Sequence, residues 1–165
     1  MNLVKFIEPI VYGLSTVIVE TTLLISMNGS QDGFDESAPI RIVTPSSLMI
    51  IDNDLVITYT NPDIEFSDES ADQNVNAIWD IVKNRSVFHL IVPDPSTHVT
   101  VEVREYKNER FESIKKAEAI VIKTLGHRLL AQFYLKARKD KDYPVRIFES
   151  EADAREWFET LRVNA

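Results

Sequence analysis

The chain has 165 residues, 44% hydrophobic and 27% charged, with a formal net charge of −8 and no cysteine. That length and apolar share suit one soluble globular domain with a real core, plus an extension. The negative field repels phosphate backbones and anionic lipid, so neither nucleic acid nor a membrane is an expected partner. The lack of cysteine excludes disulfides, thiolate metal sites and a cysteine nucleophile, and fits a cytoplasmic protein.

Residues 9–26, PIVYGLSTVIVETTLLIS, are mostly apolar, with Glu20 inside. The run is shorter than the about 20 residues a spanning helix needs, and Glu20 is costly in hydrocarbon. It lacks the basic start and the cleavage site of a signal peptide. It reads as an extra strand or helix covering the domain, or as residues ahead of a true start at Met27. The polar stretch 27–39, with Gly29 and Gly33, reads as a linker. Residues 1–35 are therefore taken as an extension and 36–165 as the domain.

Short apolar runs follow at 40–44, 48–52 and 55–60, the last two separated by Asn53-Asp54. Asn and Asp tolerate φ > 0, so this pair predicts a hairpin. Ser67 or Ser70 caps the next helix, whose Ala71, Val75, Ile78, Trp79 and Val82 recur at helical spacing. VFHLIV (87–92) and AIVI (119–122) are continuous apolar runs, as in strands buried on both faces. Between them, Val99, Val101 and Val103 alternate like a strand, while Val99, Val103 and Tyr106 fit a helical stripe. LGHRLLAQFYLKAR (125–138) reads as a helix packing through Leu125, Leu129, Phe133 and the Lys136 stem, with Leu130 and Tyr134 alongside. VRIF (145–148) is a strand, and Ser150 caps a last helix buried through Ala154, Trp157, Phe158 and Leu161. Strands alternate with helices from residue 55 on, which predicts an α/β fold: a mixed sheet that starts with an antiparallel hairpin and continues in βαβ units.

The segment 117–161 resembles the C-terminal half of small bacterial STAS-like domains, many of uncharacterised function, whose SpoIIAA-like fold is shared with CRAL-TRIO lipid carriers. The matching elements are the strand Ala119–Ile122, the helix Gly126–Lys136, Pro144, the strand Val145–Phe148, and Ala154 with Trp157. The likeness is looser across 40–116 and does not reach 1–35. In that fold the chain after VFHLIVPD enters a helix, so the resemblance makes 97–107 helical.

Few residues suggest chemistry. In STAS-domain anti-sigma antagonists a serine near the position of Ser96 and Thr97 is phosphorylated to break a partner complex. This chain has Asp-Pro-Ser-Thr-His where those proteins have Asp-Ser and a Gly-rich turn, so helix capping is the preferred reading of both residues. Gly126, His127 and Arg128 open a helix, where free N–H groups and a guanidinium suit an anion or a partner; a surface turn with solvated His127 and Arg128 is preferred. His89, His98 and His127 are scattered, so no metal is expected, and His89 reads as a packed or edge histidine. The carboxylates Asp63, Glu65, Asp68, Glu69 and Asp72 read as a solvated helix start, and the Lys136, Arg138, Lys139, Lys141 cluster as a solvated loop. Phe133, Tyr134, Phe148, Trp157 and Phe158 are core by default. With no nucleophile–base pair and no phosphate loop in view, no catalysis and no cofactor are expected. The resemblance implies a regulatory domain that contacts a protein partner, with a homodimer open; the alternative is a small-ligand or lipid carrier.

Overall fold

The computed structural model describes residues 2–12, 15–25, 38–104, 106–137 and 142–163. Ten strands and four helices are formed among them. The strands are β1 (Asn2–Tyr12), β2 (Ser15–Ile25), β3 (Ile40–Val43), β4 (Ser47–Asp52), β5 (Leu55–Thr60), β6 (Glu65–Phe66), β7 (Val87–Val92), β8 (His98–Val99), β9 (Lys115–Val121) and β10 (Val145–Phe148). The helices are α1 (Asp68–Val82), α2 (Glu109–Ile114), α3 (Leu125–Ala137) and α4 (Glu151–Val163). Eight strands form one sheet in the order β1-β2-β3-β4-β5-β7-β9-β10, and β6 pairs with β8 separately. Strands β1 to β5 run antiparallel to their neighbours, whereas β5, β7, β9 and β10 are parallel. This is the expected mixed α/β sheet, antiparallel first and βαβ after.

Residues 9–26 are neither one helix nor one strand. They hold the end of β1 and all of β2, a hairpin that joins the sheet through β3, with Ile18 opposite Val43. The expected linker lies outside the described residues except for its last two positions, and so does Met27. The Asn53-Asp54 hairpin forms as predicted, with Asn53 at φ 54°. Its Asp54 carboxylate meets Arg162 near the end of α4 at 2.6 Å and Lys116 at 3.3 Å. Burial alone would raise the pKa of Asp54, but the hydrogen bonds and charges of Arg162 and Lys116 outweigh it and hold the carboxyl low.

Side-chain alternation splits the core into two layers. Leu55, Ile57, Phe88, Leu90, Ala117, Ala119 and Val121 face α4, where they meet Ala154, Trp157 and Phe158. The rings of Phe88 and Phe158 lie 5.0 Å apart, and those of Phe148 and Trp157 5.4 Å. Ser150 caps α4 by accepting from the Asp153 N–H at 3.1 Å, as read from the sequence. The opposite face carries α1, α2 and α3. There Met49, Val56 and Val87 pack on Ala77, Ile78 and Val82 of α1 and on Phe111 and Ile114 of α2. Ser67 is the cap of α1 and accepts from Ser70 N–H. Asn74 is buried on α1 and ties it to the β3–β4 turn: it accepts from Thr44 at 2.7 Å and donates to Ser47 at 2.8 Å.

Three expectations fail. Residues 97–107 are not a helix: His98 and Val99 form β8, whose His98 N–H reaches Ile64 O at 2.8 Å, and only Glu102–Arg104 make a 3-10 turn. Strand β6 offers these residues a ladder, and the helix starts later, at the Asn108 cap that accepts from Phe111 N–H. Second, α3 is turned the other way. Leu125, Leu129 and Phe133 are 73%, 52% and 53% exposed, and Ala131 and Tyr134 pack on Ile120 and Ile122 instead. A small residue lets the helix approach the sheet, and the Tyr134 hydroxyl finds a buried acceptor there. Third, Phe133 is consequently not core; Tyr134, Phe148, Trp157 and Phe158 are packed as expected.

Candidate functional site

Between α1 and α3, on the face opposite α4, lies a cavity of about 180 Å³. Its floor is sheet: Thr58 and Thr60 of β5, His89 and Ile91 of β7, Glu118 and Ile120 of β9. Its walls include Asn74 and Ile78 of α1 and His127, Ala131 and Tyr134 of α3, with Phe66, Val99 and Tyr106 closing one side.

The parity of the strands aims the polar floor inward. Residues 58, 89 and 118 stand on three neighbouring strands and on one face, so their side chains meet. Thr58 Oγ1 lies 3.1 Å from His89 Nε2, and His89 Nδ1 lies 3.3 Å from Glu118 Oε2. A carboxylate oxygen accepts, so Nδ1 carries the proton and Nε2 accepts from the Thr58 hydroxyl. Desolvation pushes the His89 pKa below its ordinary 6.5 and Lys115 adds to this; the Glu118 hydrogen bond opposes it without winning. His89 is thus a neutral, fully packed ring, in line with its reading from sequence.

Glu118 is 0% exposed and also accepts from Lys115 Nζ and the Tyr134 hydroxyl. Lys115 Nζ bonds Glu112 at 3.1 Å as well, and Tyr143 donates to Glu112. The reach of Lys115 depends on an irregularity. Val87 pairs with Lys115 but Phe88 pairs with Ala117, so β9 carries one extra residue, Lys116. That bulge puts Lys115 on the same face as Glu118, three residues on, where a regular strand would place them on opposite faces.

The sequence-derived candidates are distributed unevenly. Thr97 is buried and donates to Asn61 O at 2.9 Å, while Thr60 Oγ1 lies 2.7 Å from it. It caps no helix. Ser96 is exposed at the neighbouring turn; it donates to Asp94 at 2.6 Å and accepts from Asp63 N–H at 2.8 Å. The Ser96 hydroxyl, together with the Ser96 N–H that also donates to Asp94 at 2.9 Å, holds the Asp94 carboxyl below its usual range. His127 is not solvated, contrary to the preferred reading: it is 9% exposed, and Nε2 lies 3.1 Å from the carbonyl of Thr97. Thr124 caps α3 by accepting from His127 N–H at 3.2 Å. Arg128 pairs with Glu149 at 2.7 Å on the surface, and a Cβ on Gly126 would meet nothing within 4 Å. The structure therefore joins Thr97 to His127, and of these candidates His127 alone lines the cavity.

Sequence reasoning missed Glu118, Lys115, Thr58 and Asn74. The available signal was a lone Glu inside KKAEAIVI and a lone His inside VFHLIV, each a polar residue in an otherwise buried strand. Among the described residues no group of three or more His, Cys, Asp or Glu is placed to hold a metal ion, and no helix is long and apolar enough to cross a membrane.

Fold and site together define a mixed α/β domain with a partly open cavity floored by a buried polar ladder. Residues 49–162 match the family described as a domain of unknown function (DUF7793), and the chain belongs to that family. No curated protein and no solved structure is matched by the chain.

Proposed function

We propose that this domain binds a small, mainly apolar molecule in the cavity between α1 and α3, without transforming it. The observation that carries the reading is the cavity itself: about 180 Å³ of space that the core does not fill. Concave, mainly apolar pockets of this kind are few per protein and are where small molecules bind. An engineered apolar cavity of about 150 Å³ binds benzene, so this one suits a substituted aromatic ring or a short aliphatic chain rather than a whole lipid. The likeness of 117–161 to STAS-like and CRAL-TRIO domains agrees with a carrier-type role. Titration of the full-length chain with p-xylene, followed by NMR, tests it. Saturable binding with a Kd on the order of 0.1–1 mM and shifts centred on Ile120, Ala131 and Tyr134 is expected; no saturable binding up to the solubility limit overturns it.

The protein-contact reading rests on a different observation, the exposed strip Leu125, Leu129 and Phe133 along α3. Contiguous apolar surface of this kind marks contact sites. Self-association of the full-length chain that Leu129→Glu abolishes would favour that reading for the strip, in a homodimer, with Ser96 as the accessible hydroxyl for a switch.

A further inference from the structure

The cavity, if it is the binding site just proposed, is short of hydrogen-bond donors. The acceptors on its floor already have theirs. Thr58 donates to His89, the ring of His89 donates to Glu118, and Tyr134 and Lys115 donate to the same carboxylate. Asn74 Oδ1 accepts from Thr44. His127 is different. Its Nε2 faces a backbone carbonyl, which can only accept, so Nε2 donates and Nδ1 is the ring nitrogen left to accept. Among the described residues, three buried side chains hold a nitrogen or oxygen without a hydrogen-bond partner: Gln73, Thr100 and His127. Only His127 lines the cavity. The ring is 91% buried and fixed through Thr97, so the lone pair is held in place rather than free to turn toward water. A buried acceptor left empty destabilises the fold, and native structures seldom carry one without a reason. The charges point the same way. The acidic and basic side chains on the cavity wall, histidines aside, are Glu112, Glu118 and Lys115, two carboxylates to one ammonium. An anionic head group meets repulsion there.

We propose that the ligand of this cavity is a small apolar molecule carrying one neutral hydroxyl or N–H group, a phenol or an indole in type, and that His127 Nδ1 accepts its proton. His127 is then the specificity residue, and its partner Thr97 is a positioning residue that fixes the tautomer.

The test compares p-cresol with p-xylene on the full-length chain, since the two differ by a hydroxyl in place of a methyl. Without an acceptor, burying that hydroxyl weakens binding roughly tenfold or more. With His127 as acceptor, p-cresol binds at least as tightly as p-xylene and up to about tenfold tighter, and the ¹⁵N resonance of His127 Nδ1 moves with p-cresol and stays with p-xylene. In His127→Phe the preference for p-cresol over p-xylene is lost. Weaker binding of p-cresol than of p-xylene, or an Nδ1 resonance that p-cresol leaves unmoved, overturns the inference while the cavity reading stands. Failure of both probes to bind removes the cavity reading itself. The ¹⁵N measurement needs no variant, so the test survives a misfolded His127→Phe.

Discussion

Replacing Glu118 by Leu removes a carboxylate that is 0% exposed and holds three donors. The cost follows from what each donor does next. Lys115 keeps Glu112 at 3.1 Å and Tyr143 at 3.4 Å, so its ammonium is not left bare. His89 Nδ1–H loses Glu118 in a ring that is almost wholly buried, and the Tyr134 hydroxyl loses it too. An orphaned buried donor costs about 1–3 kcal/mol, and removing one member of a buried ion pair about 3–5 kcal/mol. With Lys115 still partnered, the lower end applies, and Glu118→Leu is expected to lose about 3 kcal/mol. That is a large part of the 5–15 kcal/mol typical of a domain. Urea unfolding followed by Trp79 and Trp157 fluorescence measures it as a lower midpoint at unchanged slope. Adding Lys115→Met should recover part of the loss, because an apolar pair can replace a buried ion pair at little cost. A single variant within about 1 kcal/mol of the parent chain, the size of one ordinary hydrogen bond, would show that the buried network does not hold the floor together.

Three further outcomes are expected. His89 titrates below its ordinary value of 6.5, first because of burial. The unfolded chain therefore takes up a proton that the native ring refuses. Stability is full above about pH 6.5 and falls on acidification, by up to about 1.4 kcal/mol per pH unit from this group. Urea midpoints at neutral pH and near pH 5 should show that slope lessened in His89→Gln; an equal slope in both chains refutes it. Lys83 closes α1 at φ 51° and ψ −118°, and it is exposed. Lys83→Gly relieves the strain and should stabilise by about 1 kcal/mol, read as a raised urea midpoint; an unchanged or lowered midpoint counts against the strain. Gly126→Ala adds a methyl to open space in α3 and should gain about 0.5 kcal/mol from helix propensity, leaving p-xylene binding unaltered. A thermal melt checks the first half and the NMR titration the second.

The order of strands and helices was legible because β5, β7, β9 and β10 are apolar runs with helices between them, and because Asn53-Asp54 takes the turn that its residues favour. The choice of face on α3 was not. Its sequence carries two apolar stripes, and which one is buried depends on what lies beneath: Ile120 and Ile122 for close approach, Glu118 for the Tyr134 hydroxyl. The same holds for 97–107, where β6 competes with helix for the backbone hydrogen bonds. Neither pairing is local, so no periodicity records it. The sequence singles out both Thr97 and His127, yet separately, one as a helix cap and the other in a surface turn; their contact spans 30 positions and appears only once the sheet is assembled.

The extra residue in β9 has a consequence for how this family is compared. A strand is a two-state counter, inward and outward by turns, and Lys116 resets it by one. Positions before 116 and positions after 117 therefore obey opposite parity rules. Aligning a relative without that insertion would assign its cation to the aromatic layer under α4, against Phe88 and Phe158, rather than to the carboxylates. A gap placed one column wrong at this point inverts the inferred chemistry of the site, so conservation of the Lys115–Glu118 spacing is informative only when the extra residue is conserved with it.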